Sequence, residues 1–345
     1  MSAVSVTPDA LGAVLRGYRL PAGGPVVPLN DGDDDHHSDL VVRVAGDVVV
    51  RFVADRQWSW YGHQWYTDEL LRQQLRFVDH VRTRGVAFPA RLRPSDGDWS
   101  GGDWMEVRSD GVRYRAVAFA WFPGARAPRR RGRRIAHGAG ALLGRLHRAA
   151  ADFRPGADLG TESLVGWATQ VADELADLAE AMPAPLRAPT HGHIAAIGQR
   201  VAAVGPLPCV LAGHGDLNLP NVLVRHGRVV GVVDIGRIAL VHPLEELANV
   251  LRWFSRRDRD GQRVPVPTRA QAVLDGYRLH GPTGTLNRLP ELAWLSAATS
   301  PHLFFRMRAA LVGGEPVDPD RLATALRTRR AEADAVEQLS RRLVG

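Results

Sequence analysis

Two aspartates and one asparagine in the second half of the chain have side chains that can act together on a reactant or a metal ion. Asp216 and Asn221 lie five residues apart in a segment that contains glycine and proline, which predicts a loop. Asp234 follows Asn221 after thirteen residues and precedes Ile235-Gly236. Carboxylate and amide oxygens are ligands that Mg2+ accepts in proteins.

The segment between Asn221 and Asp234 predicts how these side chains meet. Two apolar runs flank His226-Gly227, a pair that favours a tight two-residue turn and hence a β-hairpin. In that hairpin Asn221 is expected to face Val232, which places Asp234 on the same face of the sheet, two residues further along. Diagonal neighbours of this kind lie ~7–8 Å apart, so the two side chains can share one magnesium ion.

This set of groups suits phosphoryl transfer. Asn221 and Asp234 would hold Mg2+ together with substrate phosphates, and Asp216 would orient a hydroxyl nucleophile. The alternative is an ordinary hairpin in which Asp216 and Asp234 only cap turns. His214-Gly215 before the loop and the Asp-x-Gly sequence after the hairpin favour the catalytic interpretation.

The stretch 214–248, HGDLNLPNVLVRHGRVVGVVDIGRIALVHPLEELA, resembles the core of the aminoglycoside phosphotransferase/choline kinase superfamily, whose fold is related to that of protein kinases. The motif is most similar to that of the aminoglycoside 3'-phosphotransferases. The resemblance implies that Asp216 is the catalytic aspartate, that Asn221 and Asp234 bind Mg2+, and that ATP is the phosphate donor. Weaker similarity extends over about residues 40–255.

The resemblance also implies where ATP binds. Phe122-Pro123-Gly124 looks like the hinge between the family's two lobes, so Ala120 and Phe122 are expected to contact the nucleotide. The family usually carries a basic residue on its third strand that holds the ATP phosphates. Because the sequence contains no lysine, Arg51 in VVVRFV is the candidate, although arginine differs from lysine in its geometry.

The expected partner of that basic residue is a glutamate on the following helix, and here the sequence departs from the family pattern. The apolar residues of helix 68–84 form one stripe at ~100° per residue. Gln74 lies in the middle of this stripe, whereas Glu69 lies nearly opposite it. Gln74 is therefore the expected neighbour of Arg51, and it can accept a hydrogen bond without forming an ion pair.

The elements that must position these residues predict an α+β protein with the bilobal, protein-kinase-like fold. Strands at 40–53, 104–108 and 113–121 with helix 68–84 indicate a small antiparallel β lobe with one helix. The remainder is mostly α-helical apart from the hairpin at 221–233; its helices are expected at 134–150, 163–182, 190–204, 243–254, 268–279, 290–309 and 318–343. We expect a nucleotide-binding lobe at 1–121, a hinge and Arg-rich linker at 122–135, and a helical lobe with the catalytic loop and acceptor site at 136–345.

Composition narrows the class of protein. The chain has 345 residues, of which 45% are hydrophobic and 23% charged, as in globular proteins. The single cysteine, Cys209, excludes an intrachain disulfide and a C-x-x-C metal site. No apolar run approaches the ~18 residues of a membrane span and no signal segment is evident, so we expect a cytoplasmic protein that binds no membrane.

The net charge of +7 raises the question of which molecules the protein binds. The Arg-rich run at 125–135 has no interleaved aromatic residues for base stacking, which disfavours nucleic acid. The expected function is ATP- and Mg2+-dependent phosphorylation of a hydroxyl on a small molecule, such as an aminoglycoside or a related metabolite. Segment 251–345 has 16 arginines against 10 acidic residues, net +6, which weakens the case for a cationic aminoglycoside.

Other functions remain open. A catalytically weak or inactive kinase-like protein that binds nucleotide and regulates a partner would fit Gln74. A protein Ser/Thr kinase-like enzyme would share the catalytic motif. The acidic loop 30–39 is either a solvated loop, an extra metal site or a contact for a cationic substrate.

Overall fold

The structure, a computed structural model, forms two compact units. The first consists of Met1–Pro123 and Pro155–Leu159, and the second of Gly124–Arg154 and Gly160–Gly345. The acidic loop 30–39 lies outside the described residues. The residues that the structure describes are 6–21, 24–29, 40–44, 46–54, 67–95, 102–129, 132–156, 159–161, 163–180, 182–259, 262–282, 284–300, 303–304, 307–308 and 318–344.

A five-stranded antiparallel sheet organises the first unit, with strand order β1-β2-β3-β5-β4. Its strands are β1 (Val26–Pro28), β2 (Leu40–Val44), β3 (Val48–Ala54), β4 (Met105–Ser109) and β5 (Val112–Ala120). Val50 and Phe52 lie on the face that forms a hydrophobic core with Val14 and Leu15 of helix α1 (Pro8–Gly17). Because side chains alternate along a strand, Arg51 lies on the opposite face.

Helix α1 is an element that the sequence analysis did not predict. Thr7 caps it by accepting a hydrogen bond from the amide of Ala10, and Pro8 occupies the first helical position. Both are recognised signals of a helix start, and they are the signals that could have revealed this helix.

Helix α2 (Asp68–Thr83) carries the predicted stripe toward the interior of the first unit. Gln74 is buried among the apolar residues of α2, and Glu69 lies on the outer surface in an ion pair with Arg72. The prediction that Gln74 rather than Glu69 occupies the inner face is confirmed. The carboxylate that does join α2 to the sheet is Asp68, in the first turn, which pairs with the buried Arg115 of β5.

The second unit is mainly helical. Its described helices of regular length are α3 (Arg133–Ala150), α4 (Leu164–Ala179), α5 (Ala184–Val204), α6 (Pro243–Phe254), α7 (Pro267–Arg278), α8 (Leu289–Ala298) and α9 (Pro319–Val344). None of the helices described in either unit is long and apolar enough to cross a membrane. The prediction of an α+β protein, with one antiparallel β-sheet unit and one helical unit, is confirmed.

Short strands complete the second unit in three antiparallel groups. One group is a three-stranded sheet with the order β6-β8-β9, formed by β6 (Ala125–Arg126), β8 (Val222–Arg225) and β9 (Arg228–Val232). The other two groups are β7 (Leu211–Gly213) with β10 (Ala239–Val241), and β11 (Arg256–Arg259) with β12 (Gln262–Pro265).

Several predicted boundaries differ from the structure, and three of the differences have consequences for the fold. The segment predicted as an Arg-rich linker contains strand β6, which pairs with β8, and the start of α3. Helix α5 begins at Ala184 and continues through Pro189, whereas the predicted helix begins at residue 190. Helix α8 ends at Ala298 because Ser300 precedes Pro301, and a residue before proline disfavours helical backbone.

Helices α3 and α7 approach each other closely through two glycines. A Cβ atom on Gly140 would lie 2.0 Å from the backbone oxygen of Val273, and one on Gly276 would lie 2.1 Å from that of His137. Glycine permits this backbone contact because it has no side chain. Any other residue at either position would push the two helices apart.

We expect Gly140→Ala to destabilise the protein by about 1–3 kcal/mol, the usual cost of inserting a group into a packed interior. The matched control is Gly198→Ala on α5, where an added Cβ meets nothing within 4 Å. That substitution should stabilise the helix by about 0.5–1 kcal/mol. Urea unfolding followed by circular dichroism measures both; equal effects of the two substitutions would contradict the close helix contact.

Candidate active site

The loop that contains Asp216 connects β7 to β8 in the second unit. Gly215 has a φ of 74°, a backbone conformation that favours glycine and turns the chain sharply before Asp216. The backbone oxygen of Asp216 accepts a hydrogen bond from the amide of Asn218 at 2.9 Å, which closes the loop locally. Asp216 therefore sits on a tight turn between two strands.

The carboxylate of Asp216 is held through one of its oxygens. Its Oδ2 accepts hydrogen bonds from the side-chain amides of Asn218 at 2.9 Å and Asn221 at 3.3 Å. Its Oδ1 has no hydrogen-bond donor among the described residues and lies 3.9 Å from Nη1 of Arg237. One oxygen is thus fixed, and the other, on a partly exposed side chain, is available to a reactant.

His214 fixes the loop from the other side. Its Nε2 donates to the backbone oxygen of Val233 at 3.0 Å, and its Nδ1 accepts from the amide of Asp216 at 3.3 Å. Both nitrogens of the ring are therefore used within the fold. His214 joins the loop to the end of the hairpin and has no nitrogen left for proton transfer.

A buried glutamate from α6 supports the same loop. Glu246 accepts a hydrogen bond from the amide of Gly215 at 2.8 Å with Oε1 and binds Nε2 of His147 at 2.8 Å with Oε2. The other ring nitrogen of His147 contacts the hydroxyl of Tyr277 at 3.0 Å. A Cβ atom on Gly213 would lie 2.3 Å from Oε2 of Glu246, so glycine at this position lets the strand pass beside the carboxylate.

Opposing effects act on the Glu246 carboxyl group. Burial raises its pKa, but the hydrogen bond and charge of His147, the charge of His214 and the Gly215 amide together hold that pKa below its usual value. Burial and the nearby Glu246 raise the pKa of the Tyr277 hydroxyl, which stays protonated. Glu246 is therefore a charged group inside the protein, stabilised by donors on both sides.

The hairpin that carries Asn221 has a different register from the predicted one. Arg225 pairs with Arg228, as predicted, but the register shifts between Leu223 and Val224, so that Val222 rather than Asn221 lies opposite Val232. Asn221 instead accepts a hydrogen bond from the amide of Val233 at 2.9 Å through its backbone oxygen. The prediction that Asn221 faces Val232 is wrong, because a β-bulge adds one residue to the second strand.

Asp234 follows the hairpin with a left-handed backbone conformation and not with the extended conformation of a strand. Its φ is 72°, in the left-handed region that aspartate tolerates better than most residues. Its Oδ1 accepts a hydrogen bond from the amide of Gly236 at 2.9 Å, a local turn that stabilises this conformation. The side chain is exposed, immediately after the strand that pairs with Asn221.

The donors of Asn221 and Asp234 fit a hard divalent cation. Asn221 uses its side-chain nitrogen to bind the backbone oxygen of Asp216 at 2.9 Å, and its amide oxygen has no hydrogen-bond donor among the described residues. Asp234 supplies an exposed carboxylate. Mg2+ is typically bound by one or two carboxylates together with substrate phosphates, so the donor types of these two residues are compatible with this ion.

The residues predicted to bind the nucleotide lie in the first unit. Arg51 is buried on β3, where its register partners are Val41 on β2 and Val117 on β5. Gln74 is buried on α2, as described above.

The two predicted nucleotide contacts next to the hinge lie at and beyond the end of β5. Ala120, the last residue of that strand, donates its amide to the backbone oxygen of Ala90 at 2.7 Å. Phe122 follows it and is half-buried. Both positions precede Gly124, where the second unit begins.

Comparison with known families decides how this arrangement is classified. The sequence profile described as the phosphotransferase enzyme family matches residues 32–282, more than half of the chain. This chain belongs to that family. The membership confirms the predicted superfamily and the prediction of a kinase-type phosphotransferase with an alcohol group as acceptor. No curated protein sequence matches the chain.

Solved structures show that the phosphotransferase shares its fold with several kinases at low sequence identity. A microcompartment-associated aminopropanol kinase is 15% identical over 98% of this chain and 99% of its own, with a TM-score of 0.58. An amicoumacin kinase is 13% identical over 90% of this chain and 87% of its own, with a TM-score of 0.60. A spectinomycin phosphotransferase is 12% identical over 98% of this chain and 100% of its own, with a TM-score of 0.60.

The structure of the phosphotransferase adds residues that the sequence analysis did not select as site residues. Asn218 binds the carboxylate of Asp216, Arg237 lies beside it, and Glu246 holds the loop backbone. Asn218 could have been noticed from its Asp-x-Asn spacing, which is typical of side chains that bond within a turn. The role of Glu246 depends on a contact between residues 31 positions apart, which no local pattern reveals.

We expect Glu246→Gln to destabilise the phosphotransferase by about 3 kcal/mol at pH 7, since it removes one charge from a buried, hydrogen-bonded pair. The folded-state pKa of Glu246 is lowered, so its stabilising contribution is complete above the usual glutamate pKa and is lost as the pH falls through the lower, folded value. The difference from the wild type should therefore shrink on acidification. Urea unfolding at a series of pH values measures it.

Glu180→Gln is the matched control, because Glu180 is exposed at the end of α4. It should change the free energy of unfolding by less than about 0.5 kcal/mol at every pH. A Glu246→Gln difference that stays constant from pH 7 to acidic pH would contradict a charged Glu246.

Proposed function

We propose that the phosphotransferase transfers the γ-phosphoryl group of ATP, bound with Mg2+, to a hydroxyl group of a small molecule, with Asp216 as the catalytic residue. The observation that carries this proposal is the asymmetric environment of the Asp216 carboxylate. Two side-chain amides fix Oδ2, and Oδ1 is left without a hydrogen-bond donor from the described residues, beside Arg237. Such an oxygen can accept a hydrogen bond from an acceptor hydroxyl and hold that hydroxyl in line with the phosphorus atom.

Asp216 would then act mainly by positioning. In a loose transition state the bond to the leaving oxygen is largely broken before the new bond forms, so the acceptor hydroxyl need not lose its proton first. As the new oxygen–phosphorus bond forms, the proton passes to Oδ1 of Asp216. Arg237, whose Nη1 lies 3.9 Å from Oδ1, places a positive charge beside this oxygen.

Asn221 and Asp234 would hold the metal ion. The amide oxygen of Asn221 and the carboxylate of Asp234 are the protein ligands, and substrate phosphates would complete the set. When bound, Mg2+ neutralises negative charge on the phosphates during transfer. The amicoumacin kinase with this fold was solved in complex with AMP-PNP and Ca2+, which supports a nucleotide with a divalent ion here.

The first unit would bind ATP. Arg51 would contact the phosphates with its guanidinium group, with Gln74 beside it, and Ala120 and Phe122 would contact the base. The spectinomycin phosphotransferase with this fold was solved with ADP, which supports a nucleotide site. Because ATP is the donor, we place the enzyme in the cytoplasm.

The acceptor would be a small hydroxylated molecule, either an antibiotic such as an aminoglycoside or a related metabolite. The kinases that share the fold are named for aminopropanol, amicoumacin and spectinomycin, and these differ in size and chemistry. The acceptor would bind in the helical unit, near the open oxygen of Asp216. An antibiotic acceptor would make the enzyme a resistance determinant.

A second candidate function is regulation by nucleotide binding without efficient turnover. The buried Gln74 favours it, because glutamine cannot form the ion pair with Arg51 that the family pattern implies. The two candidates differ in one measurable property. Both predict that ATP with Mg2+ raises the melting temperature, but only the first predicts consumption of ATP when a suitable acceptor is present.

We expect Asp216→Asn to lower kcat by about 10²–10⁴-fold, the range for loss of one acid–base group, and to leave the melting temperature nearly unchanged. ATP consumption, screened against hydroxylated antibiotics and metabolites, identifies the acceptor and then measures the loss. Asp173→Asn on the exposed surface of α4 is the matched control and should retain full activity. Undiminished turnover in Asp216→Asn would contradict the assignment.

We expect Arg51→Met to raise the KM for ATP by about 10–100-fold, which corresponds to the loss of one charge-assisted hydrogen bond to phosphate. Methionine fills much of the same buried volume, so the fold should persist. Arg108→Met, on an exposed position of β4, is the control and should leave the KM unchanged. An unchanged KM in both variants would remove Arg51 from the nucleotide site.

A further inference from the structure

Four arginines of the second unit lie on four elements that meet around the end of α6. Arg252 is in the last turn of α6, Arg256 begins β11, Arg263 is on β12 and Arg329 is on α9. Trp253 lies beside both Arg252 and Arg256, and Glu332 contacts both the Arg329 guanidinium and the Arg263 backbone. The charges of Arg252, Arg263 and Arg329 lower the pKa of Arg256. Positive charges brought together in this way repel each other, so the fold is stabilised when negative charges lie nearby.

Two of these guanidinium groups are deeply buried. Arg256 is 5% exposed and Arg252 is 6% exposed. Arginine is rarely buried without a charged partner, and the question of a partner arises for Arg256. The ring of Trp253 lies near both, with its centroid 4.6 Å from Cζ of Arg256 and 5.2 Å from Cζ of Arg252. The aromatic face provides some cation–π attraction, but it does not neutralise the charge of Arg256.

The carboxylates that the structure describes near Arg256 do not pair with its guanidinium group. Glu332 binds Nη1 of Arg329 at 3.0 Å and accepts a hydrogen bond from the backbone amide of Arg263 at 3.3 Å. Asp258 shares a face of the β11–β12 hairpin with Arg256 and Arg263 but is exposed. Among the described residues, no carboxylate lies within 4.0 Å of the Arg256 guanidinium group.

Arginine cannot relieve this situation by losing its proton. Burial lowers the pKa of the Arg256 guanidinium well below its usual value, and the neighbouring arginines lower it further. Since arginine nevertheless remains protonated in proteins, the unfavourable energy stays in the fold. A bound anion would remove most of that penalty, because hydrogen bonds between guanidinium and oxyanion are short, strong and frequently bidentate.

We propose that Arg252, Arg256, Arg263 and Arg329 form a binding site for an oxyanion, either a carboxylate or a phosphate group. The site is built on α6, the helix that also carries Glu246. At 1.5 Å per residue, Arg252 lies about 9 Å along the helix from the residue that supports the catalytic loop. The anion belongs either to the acceptor or to a free ion such as phosphate.

This inference does not depend on the proposed phosphoryl transfer. If the anion is an acidic group of the acceptor, the enzyme acts on an acidic small molecule and not on a purely cationic one. If it is a free ion, the site stabilises the helical unit independently of turnover. An acidic group of the acceptor and a free oxyanion would bind the arginines through the same charged oxygen atoms. A competition experiment distinguishes the two.

The first test measures the melting temperature of the full-length protein against inorganic phosphate and against malonate, with sodium chloride at matched ionic strength. We expect a saturable increase with at least one of the two oxyanions. Arg256→Met should weaken the apparent affinity at least about tenfold, the effect of one lost charge-assisted hydrogen bond. Arg327→Met, exposed on α9, is the matched control and should behave as the wild type.

A second variant keeps the test decisive if Arg256→Met does not fold. Arg263→Met leaves the backbone amide that binds Glu332 in place, so its structural contact is retained. It should also weaken the oxyanion response. A wild type that responds to oxyanions no more than to chloride, or a response that Arg256→Met and Arg263→Met both leave unchanged, would overturn the proposal.

The competition arm adds the acceptor identified by the ATP-consumption screen at a saturating concentration. Loss of the oxyanion response indicates that the acceptor supplies the anionic group, and Arg256→Met should then raise the KM for the acceptor but not for ATP. A response that persists assigns the site to a free ion. Both results support an oxyanion site and identify its occupant.

Discussion

The buried carboxylate of Glu246 is the contact on which the loop that carries Asp216 depends. It binds the amide of Gly215 on one side and His147 on the other, and His147 in turn contacts Tyr277. Three helices and the loop therefore meet at one charged group inside the second unit. A charge buried in this way is tolerated only if its hydrogen-bond donors are in place, so Glu246 holds the Gly215 backbone in position.

That constraint explains the geometry at Asp216. With Gly215 fixed by Glu246 and His214 fixed by Val233, the aspartate has little freedom, and the amides of Asn218 and Asn221 remove what remains. Preorganisation of this kind is what phosphoryl transfer asks of a protein, since the covalent chemistry is simple and positioning contributes most of the catalysis.

Arginine takes the place of lysine throughout the sequence, and this affects the ion pairs inside both units. In the first, Arg115 pairs with Asp68 and joins the start of α2 to the sheet, while Arg51 lies on the same face of the sheet without a glutamate at position 74. In the second, Arg256 is buried with no carboxylate near enough to pair with it among the described residues. A residue that keeps its charge in every environment needs either a partner in the chain or one from outside.

The sequence by itself determined the family and most helices, because a sequence motif and periodic apolar residues are local properties. It also predicted Asp216, Asn221 and Asp234 as the candidate site from their spacing. It also placed Gln74 on the inner face of α2. Only the tertiary structure decided the register of the hairpin, the support from Glu246 and the arginine cluster. The hairpin register depends on a β-bulge, which shifts every residue pair beyond it. The support from Glu246 and the arginine cluster depend on contacts between distant segments, which no local pattern encodes.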